Sequence, residues 1–513
     1  MVQKSLVLAD YAVILAFFAV MIGVGVYFSR KSKSSDQFFG NDKTVPWWLS
    51  GVSFYMNSFS ALAFVMYSAL AYRYGWVAVT ISWLSVAAML FALKFTAVRW
   101  RRAAEESPID FISKRYTPRM CTTLAYLGLP MQLLDNALKL LAVGTVVGVG
   151  LGFPLFWAIC ISGAIIVVYT VLGGLKAALV CDFIQFLIIL AVVLTLPALC
   201  LDRLAAVDGG AGLAHGFSVF MERAPKLTEN VFSLTNGMYD WMYMFISLLL
   251  VTMTTCTNWP LIQRFAATRS DADARKMSYL VSVLFFIGPP LFFFPAMAAR
   301  VFFVEQIPVE EMNGVYGVLC RTVLPAGMIG MAVAAMFSAT MSSIAGNINA
   351  IASVFTNDIY GKFARNATAA GRMMAARAAT VMVGAGIIAL TFLMQYAQGA
   401  KDLFDLSNNI FGVFLPPIAV PMVAGVVFRR LSKRSGITAL SGGIAVGLAA
   451  FTVGAWYPYV RETIPMTWIT TIATIALLII GTKLFPDRKD EAERIDAFFK
   501  KLKTTVNKKE ASL

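Results

Sequence analysis

The sequence predicts an all-α polytopic membrane protein, and three observations carry that prediction. Of 513 residues, 59% are hydrophobic and only 14% charged, whereas a soluble domain is roughly half apolar and about a quarter charged. The apolar residues fall in blocks about 20 residues long, the length that crosses roughly 30 Å of hydrocarbon. The basic residues crowd into alternate loops between those blocks, the pattern that sets orientation in a bilayer.

Taken in order, the blocks predict about thirteen spans, near 10–29, 46–70, 76–98, 120–150, 154–174, 179–201, 241–262, 277–302, 322–355, 376–397, 405–428, 436–456 and 464–484. One set of loops holds Arg30, Lys31, Arg99, Arg101, Arg102, Lys176, Arg264, Arg269, Arg372, Arg429 and Arg430, with the lysine-rich tail. The opposite set is poor in cations, so the first set is cytoplasmic. The N-terminus is then outside and the C-terminus inside, in keeping with an odd number of spans. The first block lacks a cleavage site and reads as a retained helix.

The formal net charge of +15 is thus an orientation signal, and nucleic acid is not expected as a partner. The six cysteines form no CxxC pair and the single histidine, His215, lies in a loop. Neither a zinc site nor a disulfide framework is suggested. No Walker A pattern is present, so an ion or solute gradient is the expected source of energy. After Pro486 the tail has a weak apolar stripe of Ile495, Phe498, Phe499 and Leu502, expected to lie as an amphipathic helix on the inner leaflet.

Two spans carry polar runs at matching places. Span 2 contains "SFYMNSFSALAF", Ser53 to Phe64, and span 7 contains "TMTTCTNWP", Thr252 to Pro260. Each opens a unit of five spans. An odd number per unit inverts the second against the first, and interrupted helices at matching places mark a midplane binding site. A third run, "AMFSATMSSIAGNINAI" from Ala335 to Ile351, sets hydroxyls and amides at membrane depth, where they are costly unless satisfied. Such groups can bond back to their own helix. A dehydrated Na⁺ offers another explanation, because it seeks several hard oxygen ligands, and Ser342 and Ser343 can face the break in span 2.

Several stretches resemble the sodium:solute symporter family along nearly the whole chain. They are "YTVLGGLKAALVCDFIQ" (Tyr169–Gln185), "ESPIDFISKRY" (Glu106–Tyr116), "NWPLIQRFAATRS" (Asn258–Ser270) and "MFSATMSSIAGNINAIASVFTNDIY" (Met336–Tyr360). The resemblance implies a LeuT-type core of two inverted five-helix repeats, coupled to Na⁺. The expected division is an extra helix and loop at 1–45, and a ten-helix core at 46–428 with repeats at 46–201 and 241–428. Two further helices at 429–486 and a basic cytoplasmic tail at 487–513 complete it. The resemblance also implies a sodium site built from the backbone oxygens of Met56, Phe59 and Ala339 and the hydroxyls of Ser342 and Ser343. Asp182 matches a second cation site of some relatives, but its partner positions here are Ala345 and Gly346. One Na⁺ per solute is therefore expected, with Asp182 pairing a cation near the inner mouth such as Lys176.

Position suggests Ser58, Ser60, Ser82, Asp135, Asn136, Asn258 and Asn408 for the solute, with Tyr55, Trp76 and Trp259 as stacking or gating aromatics. Asp135 can accept from vicinal hydroxyls, suits an ammonium group, or pairs with Lys139 one turn on. A neutral sugar is the leading expectation, with a sugar acid such as sialic acid or an amino acid such as proline as alternatives. An enzyme is not expected, because the membrane-depth carboxylates are isolated. A passive pore would favour rings of one charge, and proton coupling remains as a minor alternative. A monomer in a bacterial inner membrane is the expected setting.

Overall fold

The computed structural model describes residues 6–31, 34–58, 63–151, 154–237, 239–302, 312, 314–361, 368–397, 400–454, 456–461 and 463–504; inside those stretches the side chains of 63, 65, 145–151, 302, 397, 400–410, 458, 461, 463 and 464 are not described. Among the described residues the chain is helical, with two isolated bridges and no sheet. Eight helices among the described residues are long and apolar enough to cross a membrane, or nine if a bent pair is one span.

The helix α1 (Leu8–Ser29) comes first. Where the next span is expected, α2 (Trp47–Asn57) ends with Ser58, residues 59–62 lie outside the described residues, and a π turn (Ala63–Tyr67) leads into α3 (Ser68–Tyr74). Then follow α4 (Val77–Phe95) and α5 (Pro118–Leu151). The long α6 (Leu155–Val207) is two helices joined at Gly174, whose φ of 60° and ψ of −154° lie outside the helical region. A Cβ there would stand 2.4 Å from the Phe38 carbonyl oxygen. The kink thus needs glycine both for its backbone angles and for the close approach. It falls where two separate spans were expected.

After α7 (Leu213–Leu227), the Asp240 carboxylate caps α8 (Trp241–Thr257) by accepting from Tyr243 N at 2.7 Å. That helix bends by 52° into α9 (Trp259–Ala266). Asn258 at the junction is extended, with φ −63° and ψ 124°. Pro260 has no N–H to donate to the preceding turn, which is the usual cause of such a bend. The chain continues through α10 (Asp271–Phe302), α11 (Val315–Val323), α12 (Met328–Val354), α13 (Ala369–Ala397), α14 (Ala400–Val427), α15 (Ser435–Val453) and α16 (Thr463–Leu484).

The axis of the molecule is α12. Its most apolar window is 83% buried, against 22% for α1. It packs on α6, α1, α5, α13 and α2. Its start is fixed by a residue that sequence reading did not single out. Asp10 on α1 is buried, and its Oδ1 accepts from Gly327 N at 2.8 Å and Gly330 N at 2.7 Å. A carboxylate at a helix N-terminus meets the positive end of the dipole and unpaired N–H groups. Gly330 permits the approach, since a Cβ there would lie 2.4 Å from the Asp10 carbonyl oxygen.

The tail differs from expectation. It forms α17 (Lys489–Lys503), but its apolar stripe does not face lipid. Ile495, Phe498, Phe499 and Leu502 are buried in one cluster with Trp100, Phe111 and Tyr116. Arg429 holds Asp496 through Nε at 2.6 Å and Nη2 at 2.5 Å, and Lys433 N donates to Asp487 Oδ1 at 2.7 Å. The protein itself offers the aromatic surface that the sequence left to the bilayer.

Replacing Asp10 with Ala removes the charged acceptor from the start of α12. The expected cost is about 2 kcal/mol, the range of hydrogen bonds to a charged group. Thermal unfolding in detergent measures it, with Asp10→Asn expected to fall between Ala and the natural protein. An unchanged midpoint for Asp10→Ala would show that the cap contributes nothing.

Candidate functional site

Four elements converge where α2 ends. Ser53 on α2, Asp182 on the second arm of α6, Arg264 on α9 and Ser342 on α12 are each 1% exposed or less. Ser53 Oγ donates to Asp182 Oδ2. Arg264 Nε donates to Ser53 Oγ at 2.8 Å, and Nη2 reaches Asp182 Oδ2 at 3.3 Å. Nη1 is satisfied by the Pro260 carbonyl at 2.9 Å, and the Arg264 carbonyl accepts from Ser50 Oγ at 2.8 Å. Asn57 Nδ2 donates to the Ser342 carbonyl at 3.0 Å. Tyr169 OH donates to the Met341 carbonyl at 3.1 Å. A charge out of water is tolerated when it is paired and its remaining polar atoms are met; this network pairs both charges and occupies Nε, Nη1 and Nη2 of Arg264.

Two expectations are corrected here. Asp182 does not pair with Lys176, which bonds Asp42 instead. Nor is Arg264 a loop cation. It is fully buried and is the partner of Asp182. The sequence held little signal: Arg264 stands six residues past Asn258 and two past the expected end of its span at 262, where a cation reads as a loop charge, whereas an ionisable residue at membrane depth faces a partner or a cavity. The glycine of the polar run also finds its reason. A Cβ on Gly346 would stand 2.1 Å from Asn57 Nδ2 and 2.8 Å from Arg264 Nη2. Position 346 is left empty of side chain so that an amide and a guanidinium can occupy the space.

Of the residues expected to hold sodium, Met56 and Ala339 are buried in one cluster, and Ser342 and Ser343 lie beneath them on α12. Phe59 lies outside the described residues. The Ser342 hydroxyl and Asp182 Oδ1 are both buried without a well-formed hydrogen bond, and the two groups lie beside each other. Elsewhere on α12, Ser338 Oγ bonds back to Ala334 O at 2.7 Å and Asn347 Nδ2 to Ser343 O at 3.0 Å. Helix self-satisfaction therefore accounts for part of the polar run but not for Ser342. A buried hard oxygen that does not bond its own helix is what a dehydrated alkali cation would take up.

The solute candidates are more scattered. Ser58 caps α2, with Oγ donating to Phe54 O at 3.0 Å, and Ser82 Oγ donates to Ala78 O at 2.9 Å. Asn136 Nδ2 bonds Gln132 O at 2.6 Å, while its Oδ1 and the Oδ1 of Asn258 are buried without partners. Asp135 forms the one-turn pair with Lys139 at 2.6 Å. Ser60 and the side chain of Asn408 lie outside the described residues. Trp259 packs under Gly128, where a Cβ would meet its ring at 2.5 Å, and Trp76 meets Trp83 edge-on at 5.9 Å. Tyr55 faces Phe285 at 5.2 Å and borders a cavity of about 110 Å³ with Met56, Phe64, Phe186 and Phe292. Among the described residues none of the polar candidates lines that cavity.

With this geometry in hand, comparison with known proteins is direct. A family model described as "Sodium:solute symporter family" matches residues 38–446. The chain is 24% identical to the sodium/sialic acid symporter NanT of Aliivibrio fischeri, over 97% of this chain and 98% of the relative. It is 23% identical to a sodium/glucose cotransporter of Vibrio parahaemolyticus, over 95% and 93%. A solved Na⁺-coupled sialic acid symporter in a substrate-bound outward-open state superposes with a TM-score of 0.79 at 21% identity, covering 94% of this chain and 99% of that one. At that identity the likeness shows the fold, which is LeuT-like.

Breaking a buried ion pair from one side leaves an uncompensated charge and costs about 3–5 kcal/mol. Asp182→Asn and Arg264→Gln alone are therefore expected to lower the unfolding midpoint sharply, and the double variant to recover much of the loss. Additive losses in the double variant would show that the two side chains are not coupled.

Proposed function

Since the chain belongs to the sodium:solute symporter family, and is accordingly a Na⁺-coupled transporter and not an enzyme, we propose that it imports a neutral sugar by alternating access, with one Na⁺ per sugar. Sodium is held by the backbone oxygens of Met56, Phe59 and Ala339 and the hydroxyls of Ser342 and Ser343. The observation that carries this is the buried Ser342 hydroxyl, which makes no bond back to its own helix and lies beside the Asp182 carboxylate, on the helix that faces the end of α2. Asp182 binds no second sodium, because Arg264 supplies its positive charge and positions 345 and 346 bear no hydroxyl.

The sugar is read by Ser58, Ser60, Ser82, Asn136, Asn258 and Asn408, with Tyr55, Trp76 and Trp259 closing over it. A neutral solute is supported by the Asp135–Lys139 pair. With both charges answered, that part of α5 offers a solute no net charge. Thirteen crossings, an outside N-terminus, repeats at 46–201 and 241–428 and a bacterial inner membrane belong to the same reading.

A second reading has its own support. Two curated relatives are sodium/sialic acid symporters, and Lys139 could leave Asp135 for a carboxylate. The two readings separate on proteoliposomes under an inward Na⁺ gradient. A sodium-dependent current with a neutral sugar supports the first, and one that requires a sugar acid and vanishes in Lys139→Gln supports the second. Charge moved per sugar should be one elementary charge, and two would defeat the Asp182 argument. Ser342→Ala with Ser343→Ala should abolish sodium-dependent uptake in a protein that still folds. Unchanged uptake would place sodium elsewhere.

A further inference from the structure

We infer that the cytoplasmic face carries a binding site for a phosphate group, built by the tail helix against the loop that leads into α5. A cavity of about 440 Å³ lies between them. Its wall includes Lys114, Arg115, Lys433, Arg494 and Lys501, against the single carboxylate of Glu491. Three of these cations are answered. Lys433 pairs with Glu491 at 3.4 Å, while Lys114 and Lys501 both pair with Glu105. Among the described residues Arg115 and Arg494 form no ion pair, and the Asp487 carboxylate acts on Arg115 only from a distance.

Arg115 is the more telling of the two. It is fully buried, with Nε donating to Gly425 O at 3.0 Å and Nη2 to Leu431 O at 2.9 Å. Its Nη1 is buried and has no acceptor. A guanidinium with an unmet N–H on the wall of a cation-lined cavity lacks an anion, and planar N–H pairs match phosphate oxygens. Lys114 and Lys433 offer point charges on either side.

The depth of the site points to its ligand. Pro118, the first residue of α5, lines the cavity, and Lys433 stands two residues before α15 begins at Ser435. The cavity therefore sits level with the ends of two membrane helices on the side rich in cations, where anionic headgroups collect. A phosphodiester of an anionic lipid and a small soluble phosphate share the chemistry, and the experiment separates them. Occupancy would tie α17 to the loop before α5, strengthening the docking of the tail.

The test uses the full chain in nanodiscs of mixed phosphatidylglycerol and phosphatidylcholine, with retained lipid counted by native mass spectrometry. Phosphatidylglycerol should be retained in preference to phosphatidylcholine. Arg494→Gln, an exposed change that breaks no contact of the fold, should weaken retention about fivefold, the effect of one cation near the surface. The distant Arg372→Gln should not. If glycerol 3-phosphate instead raises the melting point of the lipid-free protein, and does so less for Arg494→Gln, the phosphate site stands with a soluble ligand. Equal retention by Arg494→Gln and the natural protein, together with no stabilisation by the soluble phosphate, would overturn the inference.

Discussion

The contact on which the rest depends is the buried pair of Arg264 with Asp182, shared through Ser53. It draws together α2, the bent α9 and the second arm of α6. In hydrocarbon neither charge is tolerable alone, so the three helices are held in register by a penalty that applies if any one withdraws. Ser53 serves both ions at once, donating to the carboxylate and accepting from the guanidinium. The same ion pair fixes the end of α2 beside α12, where Asn57 grips the Ser342 carbonyl. The geometry around Ser342 is thereby set by groups that need not themselves touch a cation.

Close approach is the second constraint. Gly174, Gly330 and Gly346 each stand where a Cβ would meet a neighbour within 2.4 Å. At Gly174 the neighbour is the Phe38 carbonyl, at Gly330 the backbone of Asp10, and at Gly346 the Asn57 amide. Each approach allows a polar or charged group to be satisfied at depth, which apolar packing alone would not achieve. The same principle orders the cytoplasmic side. Arg115 draws the carbonyls at the end of α14 together, Tyr116 OH bonds the Pro421 carbonyl at 2.9 Å, and the tail helix closes over both with its aromatic stripe. The Glu106 carbonyl collects Asn41, Ser353 and Asn357, joining three distant parts of the chain.

Membrane class, helical character and the bend at Asn258 were legible in the sequence. Each is written in local signals: apolar length and the Asn-Trp-Pro break. The expected boundary between the spans ending at 174 and starting at 179 fell at a real kink, although only the structure showed Gly174 to be the residue that makes it. Partnerships were less legible. Lys176 is six residues from Asp182 and seemed a natural partner. The actual partner, Arg264, is 82 residues away. The same holds for Asp10, whose bond partners lie 317 and 320 residues on.

The sequence by itself determined what must be buried and what must be broken, because hydropathy and proline act on neighbouring residues through the backbone. It could not determine which charge answers which, or whether the tail's apolar stripe meets lipid or protein. An ion pair is a statement about two places in space, and an amphipathic stripe is satisfied by any apolar surface. Only the tertiary structure, by bringing α9 against α6 and the tail against Trp100 and Tyr116, decided between partners that the sequence left equivalent.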